Sequence, residues 1–342
     1  MHLVRMSDPD FVPLWDGLLS VGDHLNALYG PANLAFYREY CGNPDAEDLS
    51  LLVAEGAEPL CGVKAFRREI ETGAIEISCF GLPLLYAERP QAEASILTRA
   101  QRLLRNEIES LLQALPGQVI VLYKDRLSEG RLSPLGRLLL DRGAEATPSF
   151  SQIIDLSLSE EALHKGLTKT YKWAVNWGKK NLVIKVLDRT SMTAEHIEQF
   201  RLLHLEAAGR ETRTSKSWKL QYEMVRSGEA FCVFAQLDGK LVSAALFPYS
   251  KSHCFYGVSA SRRDLFDKPL SHGVIWTALL HAKMIGLRCF EMGEQLFPMV
   301  PRHNPSKKEL GISFFKRAFG GESRVFLDIN LILNSGVSTS EM

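Results

Sequence analysis

Cysteine is sparse and shows no pairing pattern. The six in 342 residues are Cys41, Cys61, Cys79, Cys232, Cys254 and Cys289, and none forms a CxxC pair. That spacing argues against a zinc ribbon or a dithiol redox motif, and four of the six sit in apolar strand-like runs, so they read as buried free thiols. An excess of charge of either sign is also lacking. Lys plus Arg and Asp plus Glu both number 40, so the net charge is zero. No global field recruits nucleic acid or an anionic membrane, and any polyanion has to be met by a local basic patch. No run reaches the roughly 18 apolar residues of a membrane span. Residues Met1 to Asp10 carry two Asp and no apolar core, unlike a secretory signal. The expectation is a cytoplasmic protein without a transmembrane segment, a DNA partner or a metal centre. The sequence gives no reading of oligomeric state.

What is present is ample apolar material, 46% of residues against 23% charged. A chain of this length buries one large core or two ordinary ones, and two are expected. A weak internal repeat supports two. In the first half, Leu51 to Glu55 and Cys61 to Phe66 flank a Gly-containing turn and read as a hairpin, with a third strand at Ala74 to Phe80. An amphipathic helix follows from about Ala92 to Ala114, where Ile96, Leu103, Leu104, Ile108, Leu111 and Leu112 recur at helical spacing. Gln118 to Tyr123 closes the unit as a buried strand.

The second half repeats the order. Phe231 to Ala235 and Leu241 to Phe247 flank Asp238-Gly239, a strong hairpin signal. His253 to Ser259 is the third strand, Ser271 to Ile285 a helix stopped by Gly286, and Arg288 to Met292 the closing strand. A helix between two strands implies a parallel crossover, whereas the hairpins are antiparallel, so each sheet is mixed. Between the halves, Ser159 to Lys185 reads as helical to about Gly178 and carries Lys165, Lys169, Lys172, Lys179 and Lys180. The domain break falls near Phe150, giving domains 1–150 and 151–330 and a tail 331–342.

A third feature is the run Gly286 to Gly321. Its strand ends in Phe290-Glu291-Met292-Gly293, a Pro- and Lys-bearing loop follows, and Phe314-Phe315-Lys316 is closed by Gly320-Gly321. Together with the helix Leu163 to Lys180, Asp238-Gly239, Phe255 to Ser259 and Pro269 to Gly273, this pattern resembles the GNAT acyltransferase fold present twice. In particular it resembles the Fem-type branch: peptidyltransferases that add amino acids to cell-wall precursors, and CelD-like acetyltransferases linked to polysaccharide biosynthesis. The match covers Gln152 to about Asp328, and the first half more loosely. It implies an α/β fold of two tandem GNAT-like domains, each a mixed sheet flanked by helices. The second is expected to be catalytic, because the first has no counterpart of Phe315-Lys316, and the first to be degenerate and on the acceptor side.

The resemblance places Lys316 near the donor and the reactive carbonyl, where a fixed cation stabilises an oxyanion or a phosphate; the alternative is a surface lysine beside a buried Phe pair. Phe315 is a candidate for substrate binding, while the spacing of Phe314, Phe315 and Phe319 along one helical face reads as core. Tyr256 is a candidate proton donor to the leaving group or a packed core phenol. Glu291 is a candidate acceptor of the ammonium proton or a turn cap. His272 and His303 are further candidate bases or solvated loop residues. In GNAT folds a helix N-terminus receives the donor pyrophosphate. Here Arg262, Arg263, Lys268, Ser271, His272 and Gly273 lead into a helix and suit a phosphate, yet the Gly-rich Q/R-x-x-G-x-G/A loop of acetyl-CoA enzymes is missing. Lys165, Lys169 and Lys172, at i, i+4 and i+7, would form one basic strip for substrate or simply a solvated face. Arg210 and Arg213 lie where a segment could close over an acceptor. Trp173 and Trp177 read as packing residues.

Three functions follow. The first is an N-acyltransferase moving an acyl group, acetyl by expectation, from acyl-CoA to the amine of an amino sugar, nucleotide-sugar or cell-envelope precursor, with no tightly bound cofactor. The second is an aminoacyl-tRNA-dependent transferase acting on a cell-wall precursor. The third is a noncatalytic scaffold, in which Lys316 and Tyr256 tolerate substitution.

Overall fold

The computed structural model describes residues 1–22, 26–42, 45–299 and 304–334. In chain order it begins with β1 (His2–Arg5), α1 (Phe11–Val21), α2 (Pro31–Tyr40), β2 (Glu47–Asp48), β3 (Leu51–Glu55), β4 (Glu58–Lys64), β5 (Phe66–Glu69), β6 (Ile75–Ser78) and β7 (Leu85–Glu88). Next come α3 (Ala94–Ala114), β8 (Gln118–Asp125), α4 (Pro134–Asp141), β9 (Glu145–Asp155), α5 (Glu160–Gly166), α6 (Lys169–Asn181) and β10 (Val183–Leu187). The rest are α7 (Ala194–Ala208), α8 (Ser215–Arg226), β11 (Ala230–Leu237), β12 (Lys240–Pro248), β13 (His253–Phe255), β14 (Ser259–Ser261), α9 (Leu270–Met284), β15 (Cys289–Glu294), α10 (Lys307–Arg317) and β16 (Glu322–Asn334).

The chain divides into two compact units that are not consecutive in sequence: 1–24, 41–149 and 325–342 form one, and 25–40 with 150–324 the other. The expected domains 1–150 and 151–330 therefore exchange two segments. Residues 331–334, read as the start of a tail, belong to β16, which pairs antiparallel with β8. In the second unit, α2 is fixed by a carboxylate far along the chain. Glu229 accepts from Ala32 N at 2.9 Å and Asn33 N at 3.1 Å, satisfying first-turn amides and complementing the helix dipole. A Cβ at Gly30 would lie 2.3 Å from that carboxylate, so a larger residue there would displace the Glu229 head group.

In the first unit, β1, β3, β4 and β7 form an antiparallel sheet. A second set joins β2, β5 and β6, with β6 parallel to β8 as the crossover through α3 predicts. The run Cys61 to Phe66, read as one strand, changes sheets at Ala65: β4 pairs with β3, and β5 with β6. The core lies between these strands and the apolar stripes of α3 and α4, with Leu104, Val121, Leu138, Leu139 and Ile329 buried.

The second unit has the four-stranded sheet β10-β11-β12-β14, covered on both faces, and also the strands β13 and β15, which pair with each other and, through β15, with β9. Phe231, Val233 and Ala235 enter one core and Ala230, Cys232 and Phe234 the other, the period-2 alternation of a strand buried on both sides. Each fully buried Phe here contributes about 1.5–3 kcal/mol by removal from water. Asp238 and Gly239 have φ of 50° and 74°, the two left-handed residues of a type I′ turn, with Leu237 opposite Lys240. The helix α9 sits in the first core through Val274, Ile275, Trp276 and Leu279. The second core is closed by α7 and α8, which carry Phe200 and Trp218 and which the sequence reading did not anticipate.

Candidate active site

The second unit contains a divergence of two strands that the sequence reading ran together. His253 to Ser259 is not one strand. β13 pairs parallel with β15, and β14 pairs antiparallel with β12. Between them, Tyr256 N donates to Glu291 O and Gly257 N to Leu246 O, so the chain leaves one sheet for the other at Gly257. A Cβ at Gly257 would stand 2.8 Å from Leu246 O, which makes glycine the residue for the crossing. Beyond Glu291, β15 pairs only with β9, through a register shift between Glu291 and Gly293. The two strands thus part after Tyr256 and Glu291, and beyond that point no common ladder joins them.

Lys316 stands beside this parting of the strands. It lies in the last turn of α10, a helix capped by Ser306 and Glu309, and its Nζ donates to Glu294 O at 3.1 Å. Gly293, at φ 89°, permits that approach: a Cβ there would be 3.2 Å from Nζ. Burial lowers the Lys316 pKa, opposed by the charges of Glu294 and Glu291. Phe315 packs among Tyr171, His272 and Phe319, at ring separations of 5.3–5.9 Å. Phe319 is core, whereas Phe314 is 61% exposed, so the supposed single core face does not hold.

Glu291 neither stands open to solvent nor caps a turn. Its Oε1 accepts from Ser151 Oγ at 2.6 Å, and its Oε2 lies 3.1 Å from Nε2 of His253, itself 2% exposed. In the sequence His253 stands out only as the start of a strand. Tyr256 is half-buried, stacks on Phe247 and shares a hydrogen bond with Ser259 Oγ at 2.7 Å. Burial raises its pKa, which keeps the phenol protonated and able to donate.

The expected phosphate loop is not gathered as a cationic cradle. Arg262 is engaged by Asp264 at 2.5 Å and Lys268 by Asp267 at 2.8 Å, while Arg263 is exposed in a short 3-10 turn. Ser271 is half-buried in the first turn of α9. Gly273 serves packing instead: a Cβ there would meet Ile184 at 2.8 Å and the Gly178 backbone at 3.4 Å, so this pair of glycines lets α6 and α9 approach closely. His272 is not a solvated loop residue either. It is walled in by Tyr171, Phe315 and Phe319, and burial lowers its pKa.

The three lysines do not share one helix. Leu167 and Thr168 take extended conformations and break the expected helix, so Lys165 is on α5 while Lys169 and Lys172 are on α6. Trp177 packs against the core, but Trp173 is 59% exposed. Arg213 is held by packing rather than poised over an acceptor: its Nη1 is 3.0 Å from His204 Nε2 and its guanidinium lies over the Tyr40 ring. Burial lowers its pKa. Arg210 is exposed just beyond the Gly209 cap of α7. His303 lies outside the described residues.

Among the described residues, no group of His, Cys, Asp and Glu could hold a metal ion, and no helix is long and apolar enough to cross a membrane. No family model and no curated protein matches the sequence. Solved structures do. FemX is 13% identical with a TM-score of 0.71, covering 98% of this chain and 98% of that one. A tandem GNAT protein from the clavulanic acid biosynthesis pathway, without AcCoA, is 15% identical with a TM-score of 0.53, covering 98% and 99%. The C-terminal domain of a putative lysylphosphatidylglycerol synthetase from Agrobacterium fabrum is 11% identical with a TM-score of 0.56, covering 95% and 92%. With its two units, its parallel crossovers and strands that part at Gly257, the chain has the Fem-type tandem GNAT-like fold.

Proposed function

We propose that the second unit transfers an acyl group to an amine, with the donor's reactive carbonyl between β14 and β15. The observation that carries this reading is the placement of Lys316: a partly desolvated ammonium, anchored on Glu294 O, beside the point where the strands part. A cation fixed there in a low-dielectric setting stabilises the oxyanion that forms when an amine attacks a thioester or ester carbonyl. Tyr256, its phenol kept protonated, suits protonation of the leaving group. The donor is proposed to be an acyl-CoA, acetyl-CoA in the first instance, and the acceptor an amino sugar, nucleotide-sugar or cell-envelope precursor.

A specific observation favours a second reading, an aminoacyl-tRNA donor. Arg262 and Lys268, which a CoA pyrophosphate would need, are already matched by Asp264 and Asp267. Thermal denaturation with acetyl-CoA and with CoA decides between the two. A CoA site gives stabilisation that climbs with concentration, about 2.7 kcal/mol at a hundredfold excess over Kd. An unchanged melting temperature at millimolar ligand transfers the proposal to the aminoacyl ester.

A further inference from the structure

Three side chains come together on one face of the three strands β13, β15 and β9. The register sets His253 opposite Cys289 and Glu291 opposite Ile153, so His253 and Ser151 each lie two residues off the Glu291 position, on the same side of the sheet. His253 Nδ1 accepts a hydrogen bond from Ala27 N at 3.0 Å. An imidazole nitrogen that accepts from an amide carries no proton, so in the neutral ring the proton is on Nε2. That nitrogen stands 3.1 Å from Glu291 Oε2, within ion-pair distance though not aligned as a hydrogen bond, while Ser151 Oγ donates to Oε1. The Glu291 side chain is 16% exposed where the strands part, and its charge acts on Lys316.

We propose that His253, buried and set in one tautomer by the Ala27 amide, is a positioning residue that holds the Glu291 carboxylate as the general base for the acceptor amine. This inference rests on the acyl-transfer reading above. Glu291 takes one proton from the acceptor ammonium and leaves a neutral amine. The amine lone pair attacks the donor carbonyl carbon, and the C=O π pair moves to oxygen beside Lys316. Collapse re-forms C=O and breaks the bond to sulfur or oxygen. The leaving group takes a proton from the Tyr256 phenol, the phenolate takes the second amine proton, and a neutral amide remains, with the first amine proton still on Glu291. The charged groups shown to act on Glu291 include Lys316 on α10 and, when protonated, His253 on β13; Glu294, on its own strand, acts on Lys316 as well.

The test uses the full chain in two arms. In the first, nitrogen-15 NMR of the His253 ring and carbon-13 NMR of the Glu291 carboxyl are followed against pH. The expected result is a single Nε2–H tautomer, with a carboxyl titration that moves to higher pH in His253→Leu and returns toward wild type in His253→Gln, which restores a donor near the Nε2 position. An Nδ1–H tautomer, or a Glu291 titration indifferent to both substitutions, overturns the proposal. In the second arm, acetyl-CoA and glucosamine are the probes. His253→Leu is expected to lower kcat 10- to 100-fold with little change in KM for acetyl-CoA and to shift the acidic limb of the pH profile upward, and His253→Gln to recover part of the loss. Unchanged kcat in a folded His253→Leu protein overturns the positioning role. A wild-type protein without turnover, yet showing the expected NMR behaviour, counts against the acyl-transfer reading with these probes and leaves the first arm to decide whether His253 holds Glu291.

Discussion

Replacing Lys316 by alanine is expected to lower kcat for acyl transfer by 10²- to 10³-fold, about 2.7–4 kcal/mol of transition-state stabilisation, the range seen when one oxyanion donor is removed. The melting temperature should hardly change, because the Nζ–Glu294 O hydrogen bond belongs to a half-buried side chain at the end of α10 and not to the core. Lys316→Arg should not rescue, since a forked guanidinium does not fit the space that Gly293 leaves for a single Nζ. Oxyanion stabilisation requires the ammonium form, so the alkaline limb of the rate profile should fall below the ordinary lysine value of 10.5, in the direction burial sets. Stability gives an independent check. Between the lowered native pKa and 10.5 the unfolded chain binds the proton and the native one does not, so wild-type stability should rise with pH there relative to Lys316→Met. Acyl transfer retained at the wild-type rate in folded Lys316→Ala would overturn the oxyanion role of this lysine.

The Asp238-Gly239 hairpin, the α3 stripe and both parallel crossovers were legible because their signals are local: a turn dipeptide, a period, and a helix between two strands. The contacts that build the site are not local. Gly257 is required by Leu246 O on another strand, so nothing near it in sequence marks the sheet change. The His253–Glu291 pair joins residues on either side of a crossover, and the Ala27 amide that fixes the ring is 226 positions away. The lysine strip failed for a different reason, with a signal in reach. Gly166 followed by Thr168 is a helix stop and a cap residue, and heeding them would have separated Lys165 from Lys169 and Lys172. The loop cations misled because composition counts charges without showing that Asp264 and Asp267 fold back onto them.

The glycine pair after Lys316 carries the largest expected effect on folding. Gly321 has φ 78°, and a Cβ on it would stand 2.2 Å from Ile153 O, 2.9 Å from Ile153 C and 2.8 Å from Ile154 Cγ1. Two of those atoms are backbone of β9, the strand that pairs with β15, so a shift to relieve them disturbs the ladder carrying Glu291. Gly320, at φ 90°, would bring its Cβ to 3.0 Å from Gly166 O, next to the break between α5 and α6, and its own carbonyl accepts from Gln152 Nε2 at 2.6 Å. Left-handed strain alone costs roughly 1–2 kcal/mol, and the backbone overlap adds a term of the overpacking kind, about 1–3 kcal/mol or more. Gly321→Ala should therefore lose at least about 3 kcal/mol in urea denaturation, with much of the protein insoluble on expression. Gly286→Ala is the matched control: φ is 86° and no atom lies within 4 Å of the added Cβ, so only the strain term applies. Equal losses in the two variants would show that the Gly pair is a turn preference alone. A clearly larger loss at Gly321 ties the Phe-Lys segment to β9, and so places Lys316 and Glu291 on one rigid support.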